Sequence, residues 1–343
     1  MTASVHTTDV AVIGAGPAGL FAVFQCGMLN MRCQVVDALE AVGGQCQALY
    51  PEKPIYDVPA HPSILAGDLV RRLEEQAAPF HPGYHLGQQV VALAQIDGRR
   101  WRLETSKGTR IEAAAVVIAA GVGAFGPNRP PLEGIERYEG LGEGLGVNYL
   151  VTRREAFRGK RVAIAGGGDS AVDWALSLSE VAASVAVVHR RPKFRAAPGS
   201  AEKLTELAGQ GKVELVIPYQ LSGLEGEGGL TAVLVADLDG KERRLEADVL
   251  LPFFGLSQNL GPIADWGLDL DGGRIAVDPA TCNAGQPGLF AVGDIAAYPG
   301  KLKLILSGFS DAALAAHAAF AVVHPGEALH FEHSTSRGVQ AKE

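Results

Sequence analysis

The chain has 343 residues, 47% apolar and 20% charged, with 30 Lys+Arg against 38 Asp+Glu and a formal net charge of −8. That balance excludes a disordered or fibrous chain, and it argues against nucleic-acid binding, which needs a positive surface to release counterions. The length suits two domains.

Glycine fills 43 positions, well above a usual share of roughly 7%. Such an excess points to tight turns and to backbone that a ligand, often a phosphate, approaches closely. The cysteines Cys26, Cys33, Cys46 and Cys282 show neither a CxxC nor a zinc spacing. No metal site and no disulfide scaffold is expected, and a reduced compartment suits them. Met1 to Thr8 is polar and lacks the charged-then-apolar order of a signal peptide. The longest apolar runs, Ala113–Phe125 and Ala312–Val323, fall short of the ~18–20 residues that span a bilayer. A cytoplasmic protein with no membrane partner is expected.

In chain order, Asp9–Ile13 reads as a strand of β-branched and apolar residues. Gly14-Ala-Gly16-Pro17-Ala18-Gly19 follows as a turn, Leu20–Leu29 as a helix, and apolarity resumes at Val35-Val36 before Asp37. A strand, a glycine-rich turn, a helix and a strand ending in an acid imply a parallel sheet with helices on its faces. Gly14 permits the tight turn, Gly16 admits a pyrophosphate to the backbone, and Gly19 lets helix meet sheet. The helix N-terminus then faces the phosphates, and Asp37 is placed to accept from both hydroxyls of an adenosine ribose.

A second copy predicts a strand at Arg161–Ala165, the turn Gly166-Gly167-Gly168-Asp169-Ser170-Ala171, a helix over Val172–Val181 and a strand at Ser184–Val188. Here the acid is replaced by His189-Arg190-Arg191, with Lys193 and Arg195 close behind. Guanidinium groups there bind a 2′-phosphate in bidentate fashion, so this half is expected to take NADP(H) over NAD(H). The duplication extends further. Ile111-Glu112-Ala113 with Gly121, and Leu245-Glu246-Ala247 with Gly255, repeat at one constant offset. Upstream of each lies alternating strand material broken by turn signals, at Asp97-Gly98 and Gly108, and at Gly228-Gly229 and Asp239-Gly240. The expected fold is α/β: two Rossmann-like dinucleotide-binding domains, each a parallel sheet with an antiparallel β-meander.

Pro127–Pro131 breaks regular structure and marks the first crossing between domains. Gly285-Gln-Pro-Gly288 is expected to mark the return. The first domain is then 1–124 with 288–343, and the second 125–287. After the return, Leu289-Phe-Ala-Val-Gly293-Asp294 reads as a short strand ending in Gly-Asp, ahead of a last helix over Ser307–Val323. A carboxylate at Asp294 can bond a ribityl hydroxyl. The helix beyond can set its N-terminus under the pyrimidine end of a flavin. Beside two dinucleotide turns, this points to FAD in the first domain.

This order of motifs resembles the two-dinucleotide-domain flavoproteins of the thioredoxin reductase type. Those enzymes carry a redox CxxC just before the second glycine turn, whereas Gly146–Glu155 here contains no cysteine. What remains is similar to the thioredoxin-reductase-like ferredoxin (or flavodoxin)–NADP⁺ oxidoreductases. The likeness lies in Gly43-Gly44-Gln45, Ala48-Leu-Tyr50-Pro-Glu-Lys53, Ile55-Tyr-Asp57-Val58, Gly166–Trp174 and the tail His333-Ser334-Thr335-Ser336. The resemblance implies that Tyr50 and His333 stack on the two faces of the isoalloxazine. It implies that Gly44, Gln45 and Thr335 contact FAD, that Val90 lies by the adenine, and that Phe125 lines the site at the domain crossing. It further implies a homodimer and a flow of electrons from NADPH, as a hydride to the flavin, then singly to ferredoxin or flavodoxin. Asp37 stands where that group often has Glu. Other readings are a disulfide reductase working through a separate dithiol protein, an oxidase that forms peroxide, and a redox-sensing dinucleotide-binding protein. Cys26 and Cys33 read as packed apolar residues, and a redox role for Cys46 lacks a partner cysteine. The run Arg153, Arg154, Arg158, Lys160, Arg161 reads as a solvated face that could also dock an acidic protein.

Overall fold

The structure is a computed structural model that describes residues 5–329 and Gly338; the side chains of 124, 125 and 256–258 are not among those described. Among the described residues the α-helices are α1 (Pro17–Met28), α2 (Gly44–Leu49), α3 (Ala66–Ala77), α4 (Asp169–Leu178), α5 (Pro198–Gly209) and α6 (Ile305–Val323). The chain divides into two compact units, Met1–Ala124 with Gln258–Glu343, and Phe125–Ser257.

In the first unit the strand Val5–Ile13 lies at the centre of a seven-stranded sheet. It pairs in parallel with Cys33–Val36 on one side and with Arg110–Ile118 on the other. The strand Arg110–Ile118 divides its outer edge between two partners. Its first half takes the antiparallel Arg100–Thr105, and its second half takes the parallel Leu289–Ala291. Val90–Ile96 then pairs with Arg100–Thr105, so the expected meander is fused into the same sheet.

Alternation along the central strand decides what lies on each face, because successive side chains point to opposite sides. Val10 and Val12 pack with Ala22 and Cys26 of α1 and with Ala312, Ala315 and Ala316 of α6. Ala11 and Ile13 pack on the other face with Trp101, Leu103, Ile111 and Leu289. Helix α6 begins at Ile305, ahead of the expected start, and runs for 19 residues, so by length and composition alone it is long enough to cross a bilayer. The shorter apolar run had concealed this, because Ser307, Gly308, Ser310 and Asp311 interrupt the pattern. Its buried face is made of Gly308, Asp311 and small alanines packed into the core.

The second unit repeats the plan with one difference. Gly146–Val147, Val249–Pro252, Arg161–Ala165, Ser184–Val188 and Glu214–Val216 form an all-parallel five-stranded sheet. The meander Gln220–Glu225, Ala232–Ala236, Glu242–Glu246 is here a separate antiparallel sheet. Val162 and Ile164 pack under Val172, Trp174 and Ala175 of α4. Ala163 and Ala165 meet Val233, Val235 and Leu245 of the meander.

The return crossing falls at 257/258, well ahead of the expected 287/288. The reason is burial. Ile275 is fully buried with Ile263 and Leu289 in the first unit, and Arg274–Ala276 pairs with Ala296–Ala297. The Gly285-Gln-Pro-Gly288 stretch is a turn inside that unit, closed by Leu289 N–H donating to the Gln286 carbonyl at 3.1 Å.

Truncating the fully buried Ile164 to alanine removes three carbons from a packed site. It is expected to cost about 2–5 kcal/mol of stability, while Leu238→Ala, at a position 85% exposed, should stay within about 0.5 kcal/mol. Urea unfolding of the two variants checks this, and equal midpoints would refute the core assignment.

Candidate functional site

In the first unit the turn after the central strand is shaped by backbone crowding. Gly14 has φ +108, and a Cβ there would stand 2.4 Å from the carbonyl oxygen of Ala119. A Cβ on Gly19 would stand 1.9 Å from the Gly14 carbonyl oxygen. Both positions therefore exclude any other residue by contact within the fold. Gly16 differs: the nearest atom to a Cβ there is the Gly44 Cα, 3.9 Å away. Its bare face borders free space at the N-terminus of α1, where Gly16 is the N-cap, Pro17 the first residue and no side chain caps the N–H groups.

Four other segments gather at this turn. Gly43 N–H donates to the Ala15 carbonyl at 2.8 Å, bringing Gly44 against Gly16. The Gln45 amide nitrogen lies 3.7 Å from where a Cβ on Gly121 would be. Gly293 meets the Ala18 methyl, 3.2 Å from where its own Cβ would sit. Asp37, at the end of Cys33–Val36, accepts from Ala15 N–H at 2.6 Å and from Leu39 N–H at 2.8 Å. Burial pushes its carboxyl above the usual range, and the two N–H bonds pull it back. Gln88 N–H donates to the Asp37 carbonyl at 3.0 Å, and buried Val90 packs with Val36 just before the acid. Thus Gly14, Gly16, Pro17, Ala18, Gly19, Asp37, Gly44, Gln45, Val90, Gly293 and Asp294 occupy one region of the first unit, where bare backbone faces open space and an acid stands at one end.

Tyr50 ends α2 half-buried, and the Cys46 thiol donates toward its hydroxyl at 3.9 Å. Burial pushes the Tyr50 phenol well up, and the neighbouring Cys46 and Asp294 add to the shift. Burial likewise pushes the Cys46 thiol up to about 11, against the Tyr50 hydrogen bond and with Asp294 adding to it. Both therefore stay protonated through neutral pH. His333 and Thr335 lie outside the described residues, as does the side chain of Phe125.

One group here is invisible to sequence reasoning. Asp311 of α6, 1% exposed, accepts from Gly293 N–H at 2.9 Å and from the Tyr298 hydroxyl at 2.8 Å. It is also ion-paired with the equally buried Lys301. No spacing rule links these four residues; only the folded arrangement does.

In the second unit Gly166 and Gly167 are fixed by packing. A Cβ on Gly166 would stand 2.7 Å from the Phe253 carbonyl oxygen, and one on Gly167 would fall 2.1 Å from the His189 ring. Gly168, the N-cap of α4, has nothing within 4 Å of a Cβ. The basic segment after Ser184–Val188 is drawn to this turn by two bonds. Arg195 N–H donates to the Gly167 carbonyl at 2.7 Å, and Ala197 N–H donates to the Asp169 carboxylate at 2.9 Å. Asp169 is thus spent on the protein itself, Ser170 is exposed beside it and Ala171 is buried in the core.

His189 departs from its expected place among the cations. It is 7% exposed, with its ring beneath Gly167, stacked on Phe194 and 3.3 Å from the Lys193 carbonyl oxygen. Burial lowers its pKa, and Arg195, Arg191 and Arg190 lower it further, so the ring is neutral near pH 7. Its chemistry is that of a support under the turn. Arg190, Arg191, Lys193 and Arg195 are exposed, and among the described residues none of them has an ion-pair partner.

The arginines of the other basic run are all paired. Arg153 pairs with Glu143, Arg154 with Glu180, Arg158 with Glu155, and Arg161 with Glu246 and Asp248. Glu143, Glu180, Glu246 and Asp248 come from elsewhere in the fold and Glu155 from within the run, so that of its five cations only Lys160 has no ion-pair partner among the described residues.

With a thiol held near 11, Cys46 is thiolate in only about one molecule in a thousand at pH 8. Iodoacetamide should therefore alkylate it at least about a hundredfold more slowly in the native protein than after denaturation. Peptide mass spectrometry over a time course reads this, and modification at the free-thiol rate would overturn the protonated assignment.

The model of the family described as pyridine nucleotide-disulphide oxidoreductase matches residues 8–319. A protein of Paramagnetospirillum magneticum named ferredoxin–NADP reductase is 68% identical, over 97% of this chain and 98% of its own length. One of Rhodospirillum rubrum with the same name is 66% identical, over 97% of this chain and 96% of its own. Among solved structures, the thioredoxin reductase of T. acidophilum superposes with a TM-score of 0.76 at 25% identity, over 92% of this chain and 98% of its own. Two glycine turns in two units, on parallel sheets of one plan, agree with that likeness over nearly the whole chain, and the chain belongs to the pyridine nucleotide-disulphide oxidoreductase family.

Proposed function

We propose that this chain is an NADPH-dependent flavoenzyme that holds FAD in its first unit and passes electrons between NADPH and ferredoxin or flavodoxin. The observation that carries the reading is the contrast between the two glycine turns. Both leave a bare backbone position at a helix N-terminus, Gly16 and Gly168, suited to a pyrophosphate. At the ribose end, however, the first offers the Asp37 carboxylate, and the second offers three exposed arginines that have no ion-pair partner among the described residues. A carboxylate accepts from the two ribose hydroxyls and repels a 2′-phosphate; guanidinium groups do the reverse.

FAD, when bound, supplies the exchange between a two-electron hydride and single electrons. The residues of this chain bind it, orient it and exclude water. Gly14 and Gly19 shape the turn, Gly16 admits the pyrophosphate, Asp37 takes the adenosine ribose, and Val90 lies beside the adenine. Gly44, Gln45 and Asp294 reach the ribityl and pyrimidine portion, and Tyr50 covers one ring face with His333 as the opposite cover. Phe125 and Thr335 complete the contacts, with the tail coming from a second copy in a homodimer. The protonated Tyr50 phenol brings no charge of its own to the ring. Gly168, Ser170 and the Arg190, Arg191, Arg195 cluster hold NADPH, while Gly166, Asp169 and Ala171 shape the turn and His189 braces it. Hydride transfer needs no protein acid or base.

Absence of a CxxC anywhere in the sequence supports a one-electron carrier as acceptor over a disulfide. Steady-state NADPH oxidation with ferredoxin, flavodoxin, thioredoxin or oxygen as sole acceptor is the test. Fast turnover with ferredoxin or flavodoxin, and loss of it in His333→Ala, is the expected result. Fast turnover with thioredoxin alone, or with oxygen alone to give peroxide, would overturn it. Replacing Arg190 and Arg191 by alanine removes the charge-assisted contacts to the 2′-phosphate. KM for NADPH should rise by about tenfold to a hundredfold with kcat nearly kept, and KM for NADH should hardly move. Equal losses for both nucleotides would refute the assigned role.

A further inference from the structure

Asp311 and Lys301 are 1% and 2% exposed, and both charges lie in the interior of the first unit. Such a pair is stable only when each ion is matched and hydrogen-bonded, and an apolar pair of similar size is often as good for stability alone. The arrangement around Asp311 is more specific than a charge pair requires. One carboxylate oxygen takes the Tyr298 hydroxyl at 2.8 Å, and the other takes both the Lys301 ammonium and Gly293 N–H, the latter at 2.9 Å. The Lys301 ammonium also stands 5.4 Å from the centre of the Tyr298 ring.

The Gly293 bond is where the pair meets the site. Val292 N–H still belongs to the sheet, donating to the Ile118 carbonyl at 2.9 Å. The next N–H, that of Gly293, has left the ladder, and Gly293 takes φ +76 as it opens the turn Gly293–Ile295. Its donor is met by a side chain from α6, eighteen residues on. Helix and turn are also in close contact at Gly308, where a Cβ would lie 3.4 Å from the Gly293 Cα and 3.2 Å from the Ala18 methyl. The direction in which Asp294 leaves the turn therefore depends on an anchor supplied by α6.

We infer that Asp311 is a positioning residue for the flavin site: through Gly293 N–H it sets the orientation of Asp294, and Lys301 and Tyr298 hold its carboxylate in place. The inference rests on the reading of Gly293–Asp294 as part of the FAD site. Asp311 is buried behind the turn and acts only through it.

A double-mutant cycle tests this, because residues acting through one another are not additive. The parent, Asp294→Ala, Asp311→Asn and the double variant are stripped of flavin, and FAD is titrated back by the quenching of its fluorescence. Each single change is expected to weaken FAD binding about tenfold, and the double variant to be no more than about threefold weaker than either. Thermal melting of the stripped proteins shows whether each is folded. Losses that multiply to about a hundredfold, or parent-like affinity in Asp311→Asn, would overturn the inference and leave the flavin reading intact. If Asp311→Asn does not fold, Lys301→Met with Asp311→Asn removes both charges and keeps a single amide acceptor, and the same cycle is run on that background. Failure of the parent to bind FAD would remove the flavin reading and the inference with it.

Discussion

The first unit is organised around a place where two stretches of backbone come closer than any side chain allows. Gly14 passes so near the Ala119 carbonyl, and Gly19 so near the Gly14 carbonyl, that a single Cβ at either would overlap an oxygen. This approach seats the first helix directly at the end of the central strand. It leaves the helix N–H groups pointing past Gly16 into free space, and it brings the ends of three parallel strands to one level, with Asp37 at one of them. The crevice beyond the carboxyl ends of such strands is where open α/β sheets bind ligands. Gly44, Asp37 and Gly293 stand directly against that turn.

The second unit reaches the same geometry with different means. There the crowding atom beneath the turn is the His189 ring, a side chain stacked on Phe194, in addition to backbone. A buried neutral imidazole just below three exposed arginines separates support from recognition. The ring carries the turn, and among the described residues no carboxylate pairs with the guanidinium groups above it. Elsewhere on this unit Arg129, Arg153, Arg154, Arg158, Arg161, Arg243 and Arg244 each pair with a carboxylate, whereas Arg190, Arg191 and Arg195 have no such partner among the described residues.

What could be read from the sequence was local. The two glycine turns, the strands on either side and Asp37 are written in consecutive residues; the structure has the strands and the acid as expected, while α1 and α4 begin at Pro17 and Asp169, three residues ahead of the expected Leu20 and Val172, so the second half of each turn is already helix. What could not be read depends on pairing across the chain. Lys301 and Asp311 look like an ordinary charged loop and an ordinary polar helix position until both are found buried together. Arg161 looks free until Asp248, in the bend just ahead of the neighbouring strand Val249–Pro252, arrives beside it. The Gly285–Gly288 stretch has the composition of a linker, and only the burial of Ile275 upstream shows that the chain had already returned. His189 followed the same rule: its neighbours in sequence are cationic and solvated, but its partners in space are a glycine and a phenylalanine.

The insertion of one unit within the other also sets an order of events on the ribosome. The strand Arg110–Ile118 receives its last parallel neighbour from Leu289–Ala291, with Val116 opposite Leu289, about 170 residues later in synthesis. At roughly 5–20 residues per second, that edge waits on the order of 10–30 s for its partner. Meanwhile every strand of the inserted unit has emerged. The inserted unit can therefore be complete while its host is still an open sheet, and the nascent chain carries an unpaired apolar edge through about half of its own translation.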